Sequence, residues 1–395
     1  MYNSCKSIPA DLLDALKRCD ELCGPEQLDL YYELFDPYTG GFYYSISSRD
    51  TEGMTPFSEG TKFVFEALDC GGMGIPDWEK QKVSRWILDH QDESDGFFYE
   101  DLWGKITSGP RLNRDLTYSI NILDMCGVTP KYPLPTERIK CNDTNSTIPE
   151  YLRSETAMLE YLDSLDWSYD GIWRTGQNIS TASDLIYAAG YKNLIREYLL
   201  TKINSKTGLF ADGLSWMNTN GTMKLSRFFD KDFPYPEIEL AIDSVIKIFE
   251  TSPAPSYATY IWNPFVFLDR AITSQDTNSD AVRALLFEKG AKIVNTAIDC
   301  ALKLKRCDGG FSSHPYRAQD RQQGYLFGLG LPDESDLDGT IIAGARLRNT
   351  IYSVFGIVDS KDYYKEYEKD FWERCRAKAP IIKKFPKPNE PMGPI

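Results

Sequence analysis

Three carboxylates stand two residues before a threonine in otherwise apolar stretches: Glu59 before Thr61, Asp115 before Thr117 and Asp338 before Thr340. A fourth stretch keeps its threonine, Thr181, but has Ile179 where the acid would be. Acids repeated at one register are expected to converge on one place. Two carboxyls in different environments are what acid/base hydrolysis needs. The competing reading is helix capping, since Asp is among the most favoured helix starters. Asp336 joins the last acid in the run Asp336-Leu337-Asp338-Gly339. His314 follows a glycine loop and is a candidate base. His90, the only other histidine, ends a charged segment where a cation suits the helix C-terminus. Around these lie Arg49, Tyr99, Trp103, Arg114, Trp173, Trp216 and Arg317, rings and planar polar groups that form the candidate binding set.

What must position them is a repeat. The stretch "DGFFYED" (Asp95 to Asp101) returns as "DPYTGGFYYS", "YDGIWRTG", "KTGLFADG" and "CDGGFSSHP". Each copy has a polar residue, a glycine and then a large apolar side chain. The glycine suits a tight turn and the next residue can plug into the core. Before the copies lie amphipathic segments near 11–34, 77–91, 148–166, 191–204, 236–251 and 278–304, with apolar residues at helical spacing and charges opposite. After them lie less charged segments near 57–70, 113–126, 178–190, 215–230, 262–273 and 336–357, several ending at glycine. Outer helices with one wet face thus alternate with inner, buried ones. The expected fold is all-α, a toroid of six helical hairpins in a single domain over residues 1–395. An irregular connector is expected at 128–149 and a proline-rich tail at 379–395. Every glycine loop then falls at the N-terminal end of an inner helix, where free N–H groups and a partial positive charge favour anions.

Composition narrows the partners. The 395 residues carry 44 basic and 58 acidic side chains, a net charge of −14, with 42% hydrophobic residues. That balance repels phosphate backbones and anionic bilayers, so neither nucleic acid nor membrane is expected. The N-terminus has no apolar leader segment, and cytoplasm is the default location. Nine cysteines form no CxxC pair, so reduced thiols are expected. The sequons at Asn142, Asn145, Asn178 and Asn220 would matter only in a secreted chain.

The unit "DGFFYEDLWGKITSGPRLNRDLTYSINILDMCG" resembles the Gly-Gly-Phe…Asp-Leu-x-x-Thr-Tyr repeat of the terpenoid cyclase and protein prenyltransferase toroids. The six-hairpin layout equally resembles the (α/α)6 glycoside hydrolases and polysaccharide lyases. From the convergent acids, the leading expectation is a carbohydrate-active enzyme acting on an oligosaccharide at the N-terminal ends of the inner helices. Asp115, Glu59, Asp338, Asp336 and His314 are its candidate catalytic groups. The alternative is an isoprenoid enzyme. The cyclase resemblance implies an Asp-x-Asp-Asp acid motif, and Asp336-Leu337-Asp338-Gly339 lacks the last acid. The prenyltransferase resemblance implies zinc on an Asp-x-Cys pair, which no matching repeat carries, so neither metal nor cofactor is expected. A third reading is a non-catalytic toroid that binds a small molecule or a protein.

Overall fold

The computed structural model describes residues 8–141, 148–358 and 362–388. The described residues are all-α apart from one hairpin of two-residue strands, Arg321–Gln322 with Tyr325–Leu326. This is the helical-hairpin class expected from the sequence. Its residues cluster into two compact units, each assembled from separated segments: Met1–Leu22, Ile148–Ala301 and Arg346–Asp359 in one, Cys23–Thr147, Leu302–Ala345 and Ser360–Ile395 in the other. We call them the Trp216 unit and the Glu59 unit. No helix among the described residues is long and apolar enough to cross a membrane.

In the Glu59 unit the inner helices are Ser58–Cys70, Pro110–Cys126 and Leu337–Ile341, the first packing against both others. The outer helix Asp77–Asp89 buries only Glu79, Val83, Ser84 and Ile87, the one-sided pattern of an amphipathic helix. In the Trp216 unit the inner helices Ile172–Thr181, Trp216–Ser226, Ala258–Thr273 and Leu347–Val354 pack in that order. Trp216–Ser226 is buried from Asn218 to Ser226 except at Lys224, so its apolar groups need no single face. Fully burying one Leu- or Phe-sized side chain contributes about 1.5–3 kcal/mol, so these rows hold most of the folding free energy.

The repeat has a physical basis. In the loop Asp36 to Phe42, Gly40 N–H donates to the Asp36 carbonyl at 2.9 Å and Asp36 N–H to the Gly41 carbonyl at 2.8 Å. The same closure joins Gly96 to Asp92 and Asp92 to Phe97, then Gly208 to Asn204 and Asn204 to Leu209. The inner-helix threonine locks the loop from outside. Thr61 Oγ1 accepts from Phe42 N–H at 3.0 Å, Thr340 Oγ1 from Phe311 N–H at 3.0 Å and Thr222 Oγ1 from Phe210 N–H at 3.2 Å. Glycine precedes the ring because a Cβ on Gly310 would stand 2.6 Å from Thr340 Oγ1. Gly40 and Gly309 have φ of 78° and 92°, a region that side-chain-bearing residues avoid.

Several expectations change. The copy "YDGIWRTG" forms no such loop, because Gly171 has φ −89° and the chain runs straight into the Ile172–Thr181 helix. The long outer segment at 11–34 breaks into Ala10–Lys17, a 3-10 turn and Glu26–Leu34, interrupted at Gly24-Pro25. The connector contains a short helix, Pro135–Lys140, whose Arg138 donates to the carbonyls of Glu93 and Ser94 at 2.8 Å each. Residues 142–147, with the sequons Asn142 and Asn145, lie outside the described residues, as do 389–395 of the tail.

Candidate functional site

The helix Ser58–Cys70 begins after Phe57, so Glu59 occupies its second position, and Asp115 sits more than a turn into Pro110–Cys126. Neither is the N-cap. That role belongs to Asp336, whose carboxylate accepts from Gly339 N–H at 2.7 Å. It also accepts from Ser313 N–H and Gln319 N–H at 2.8 Å each, Ser313 Oγ at 2.7 Å and Tyr44 Oη at 3.2 Å. Burial raises its pKa while these donors pull it down. Five converging donors make Asp336 the knot that joins three loops. Asp338, two positions on, is 4% exposed.

Glu59 and Asp115 meet through arginine. Arg111, 1% exposed, gives Nη1 to Glu59 Oε2 at 2.5 Å and Nε to Asp115 Oδ1 at 2.8 Å. Arg114 also pairs with Glu59. Two acids and two guanidiniums thus form a closed group. Arg111 stands in the sequence among the loop cations around the candidate acids, and its spacing of four before Asp115 is a helical ion-pair signal. Burial pushes the Asp115 carboxyl up to about 7, against the pull of Arg111 and with a further push from Glu100. Its Oδ2 accepts from the Trp103 indole N–H at 3.0 Å.

Rings surround this group. Arg111 lies over the Trp103 ring at 5.2 Å, and Trp103 meets Phe57 at 6.1 Å and Tyr325 at 5.4 Å. Phe327 stacks on Phe57 at 5.4 Å and meets Tyr44 edge-on at 4.4 Å. The 321–326 hairpin delivers the second half of this wall. Its turn residues Gln323 and Gly324 have φ of 48° and 88°, as a tight two-residue hairpin turn demands. The hairpin also reaches the ion group, with Gln323 accepting from Arg111 and Gln322 from Arg114 at 3.3 Å each.

The acids and rings of "DGFFYEDLW" can be assigned one by one. Asp95 accepts from Phe97 N–H at 3.0 Å and Tyr99 Oη at 2.7 Å. Glu100 caps the Ser58–Cys70 helix by accepting Ser58 N–H at 2.8 Å. Asp101 stands 3.3 Å from His90 Nε2. Phe97 and Phe98 are core, and Trp103 serves Asp115.

Other candidates fall elsewhere. Arg49 pairs with Glu33 and, at 2.7 Å, with Asp50. Arg317 makes a half-exposed pair with Asp320 at 3.2 Å. His314 is half-buried, its pKa lowered by desolvation. Trp173 and Trp216 belong to the Trp216 unit, and Trp216 is spent on Pro253, whose carbonyl accepts its indole N–H at 2.8 Å. Among the described residues no group of three or more His, Cys, Asp or Glu side chains is placed to hold a metal ion.

No family model and no curated protein matches this sequence. Solved structures of the type II terpene cyclase MstE from Scytonema are similar to the chain at low identity. One, in complex with geranylgeranyl dihydroxybenzoate, has 11% identity and a TM-score of 0.45, covering 88% of this chain and 100% of its own. A second complex with that substrate has 12% identity and a TM-score of 0.43, covering 87% and 99%. A third, with the product merosterolic acid A, has 11% identity and a TM-score of 0.42, covering 88% and 100%. The carbohydrate-active expectation is corrected here. The solved structures named above are of a terpene cyclase, and of the acids it relied on Glu59 is held by two arginines and Asp336 caps a helix, so neither is placed to work as a second carboxyl beside Asp115. Acid/base hydrolysis of a sugar would need two such carboxyls facing the substrate.

Proposed function

We propose that the Glu59 unit binds a small apolar polyene and that Asp115 protonates one of its double bonds, opening an isoprenoid-type cyclisation. The observation that carries this reading is a carboxyl, 1% exposed, that is pushed up to about 7 and set beside a run of aromatic rings. A group with that pKa still holds its proton near neutrality. The π faces of Trp103, Phe57, Phe327, Tyr44 and Tyr325 suit the cation that protonation creates. In the step, the Asp115 proton bonds one alkene carbon and leaves the cation on the other. A second double bond attacks to close a ring, and a proton leaves the final cation. Substrate and product have equal mass. Arg111 stabilises the carboxylate left behind, and a proton taken up from solvent restores the acid before the next turnover.

The test is incubation of the purified protein with linear farnesyl- and geranylgeranyl-bearing aromatic acids in water and in D2O, read by mass spectrometry. Expected is an equal-mass product with fewer double bonds that gains one deuterium in D2O. It should vanish in Asp115→Asn, and turnover should fall as pH rises through about 7. A folded wild-type protein that turns over none of these chains sinks the catalytic reading. A second reading has its own support: the 321–326 hairpin engages the ion group through Gln322 and Gln323 and its aromatic wall through Tyr325. That arrangement suits a non-catalytic unit that binds a small ligand, and binding without turnover would favour it.

A further inference from the structure

Arg111 and Arg114 hold the two oxygens of Glu59 between them, Arg111 Nη1 on Oε2 at 2.5 Å and Arg114 Nη2 on Oε1. A terminal guanidinium nitrogen carries two hydrogens, so each of these nitrogens has a second one to place. Both go to the tip of the 321–326 hairpin. Arg111 Nη1 donates to Gln323 Oε1 and Arg114 Nη2 to Gln322 Oε1, each at 3.3 Å. Those contacts are long, since a guanidinium bonds a carboxylate at about 2.7–2.9 Å and roughly twice as strongly as a neutral acceptor. Two neutral amide oxygens thus stand where a charged acceptor would be held better.

The charge balance points the same way. Below about pH 7 burial keeps the proton on Asp115, so the two guanidiniums of the group face one ionised carboxylate, Glu59. Glu100, which also acts on Asp115, is engaged at the Ser58 N–H. Glu59 and Arg111 lie in the first turns of their helices, where the helix ends add partial positive charge. Because both nitrogens bind the one carboxylate of Glu59, they stand close enough for a second carboxylate to bridge them.

The hairpin is anchored at its base and not at its tip. Gln319 N–H donates to Asp336 at 2.8 Å, Gln319 Nε2 donates to the Arg321 carbonyl at 2.6 Å, and Phe327 is 2% exposed in the ring wall. Gln322 and Gln323 are half-buried and Gly324 is exposed. The ladder behind them has two residue pairs, and Gln323 sits at φ 48°, which costs energy for a residue with a side chain. At the arginines the tip is held by the two long amide contacts.

We propose that the apolar ligand read for this site carries one carboxylate, that this group bridges Arg111 Nη1 and Arg114 Nη2 opposite Glu59, and that Gln322 and Gln323 keep its place until the ligand displaces the hairpin tip. The assignment rests on the reading of the Glu59 unit as a small-molecule site and names the head group that site selects.

The experiment is calorimetric titration of the full chain at pH 6 with geranic acid, its methyl ester and inorganic diphosphate, on wild type, on the double variant Gln322→Ala with Gln323→Ala, and on Gln323→Glu. The acid should bind roughly tenfold or more tighter than the ester, and the double variant should bind it tighter still. Gln323→Glu supplies the carboxylate from the hairpin itself and should bind the acid about tenfold or more weaker. An ester that binds as well as the acid, or an alanine variant that binds the acid more weakly than wild type, overturns the proposal. Diphosphate binding tighter than geranic acid overturns the carboxylate. With no ligand present, hydrogen exchange of peptides from 319–328 should slow in Gln323→Glu, and faster exchange there means that the place does not seek an anion. Geranic acid that binds with these preferences yet gives no product upholds the head group and sinks only the cyclisation.

Discussion

The two units treat one position of the repeat in opposite ways. In the Glu59 unit the residue two before the locking threonine is an acid, Glu59 ahead of Thr61 and Asp338 ahead of Thr340, with Asp115 at the matching place in "DLTY". In the Trp216 unit the locking threonine is Thr222, and two before it stands Asn220, 2% exposed with its Oδ1 unpartnered. The loop, the threonine lock and the helix all form in both units. The fold therefore does not require a charge at this register. Keeping Glu59 and Asp115 buried takes two arginines and a tryptophan that the Trp216 unit does without at Asn220. That makes the ion group a feature of the site and the threonine lock a feature of the fold.

The difference is broken most severely by Arg111→Met, which removes the one side chain that touches both acids. Losing one partner of a buried ion group costs about 3–5 kcal/mol. Urea unfolding of the variant should show a loss of that size at pH 7. The loss should shrink as pH falls, because protonating Asp115 and Glu59 removes the uncompensated charge. A loss below about 1 kcal/mol would mean that the two acids are not held by this guanidinium.

Asn220→Asp runs the comparison the other way, giving the Trp216 unit an acid without its arginines. Burying a carboxyl that lacks a charged partner raises its pKa, so the folded state binds the proton more tightly than the unfolded state. The variant should be about 2–4 kcal/mol less stable than wild type at pH 7. It should recover most of that as pH falls through the range between its raised pKa and the unfolded value near 4. Thermal melts at pH 5 and pH 7.5 would check the sign.

Thr61→Val and Thr222→Val test what the units share. Each leaves a buried N–H, of Phe42 or Phe210, without its acceptor, at a cost of about 1–3 kcal/mol. Similar losses in the two units would support a common lock, and a loss in one alone would break the equivalence.

Much of this architecture was legible in the sequence. The inner stretches 57–70 and 262–273 correspond to helices Ser58–Cys70 and Ala258–Thr273, because apolar runs ended by glycine or flanked by charged segments have few other ways to be buried. The register of Glu59, Asp115 and Asp338 on threonine was also readable, since it reflects a real hydrogen bond. Thr181 misled, because "YDGIWRTG" carries the glycine and ring without the preceding polar closure, and the true lock of that unit is Thr222. The role of Arg111 was hidden for a different reason. A side chain 1% exposed is ordinarily apolar, and only the fold shows that Glu59, distant in sequence, arrives to pair with it.

The smallest effect expected is at Arg317, which its sequence position placed among the ligand-binding side chains. Its side chain is 48% exposed and its partner Asp320, three residues on, is 35% exposed, with 3.2 Å between them. At that exposure water screens the attraction and the gain must offset the ordering of a long side chain, so such pairs contribute between nothing and about 1 kcal/mol. Arg317→Ala should shift stability by under about 0.5 kcal/mol, and salt should reduce even that. If substrate turnover is found, the variant should retain it, because nothing ties Arg317 to the ion group that Arg111 and Arg114 complete. A variant that keeps its stability yet loses ligand binding would move the site's edge outward from the Trp103 and Tyr325 rings to the loop that carries Arg317.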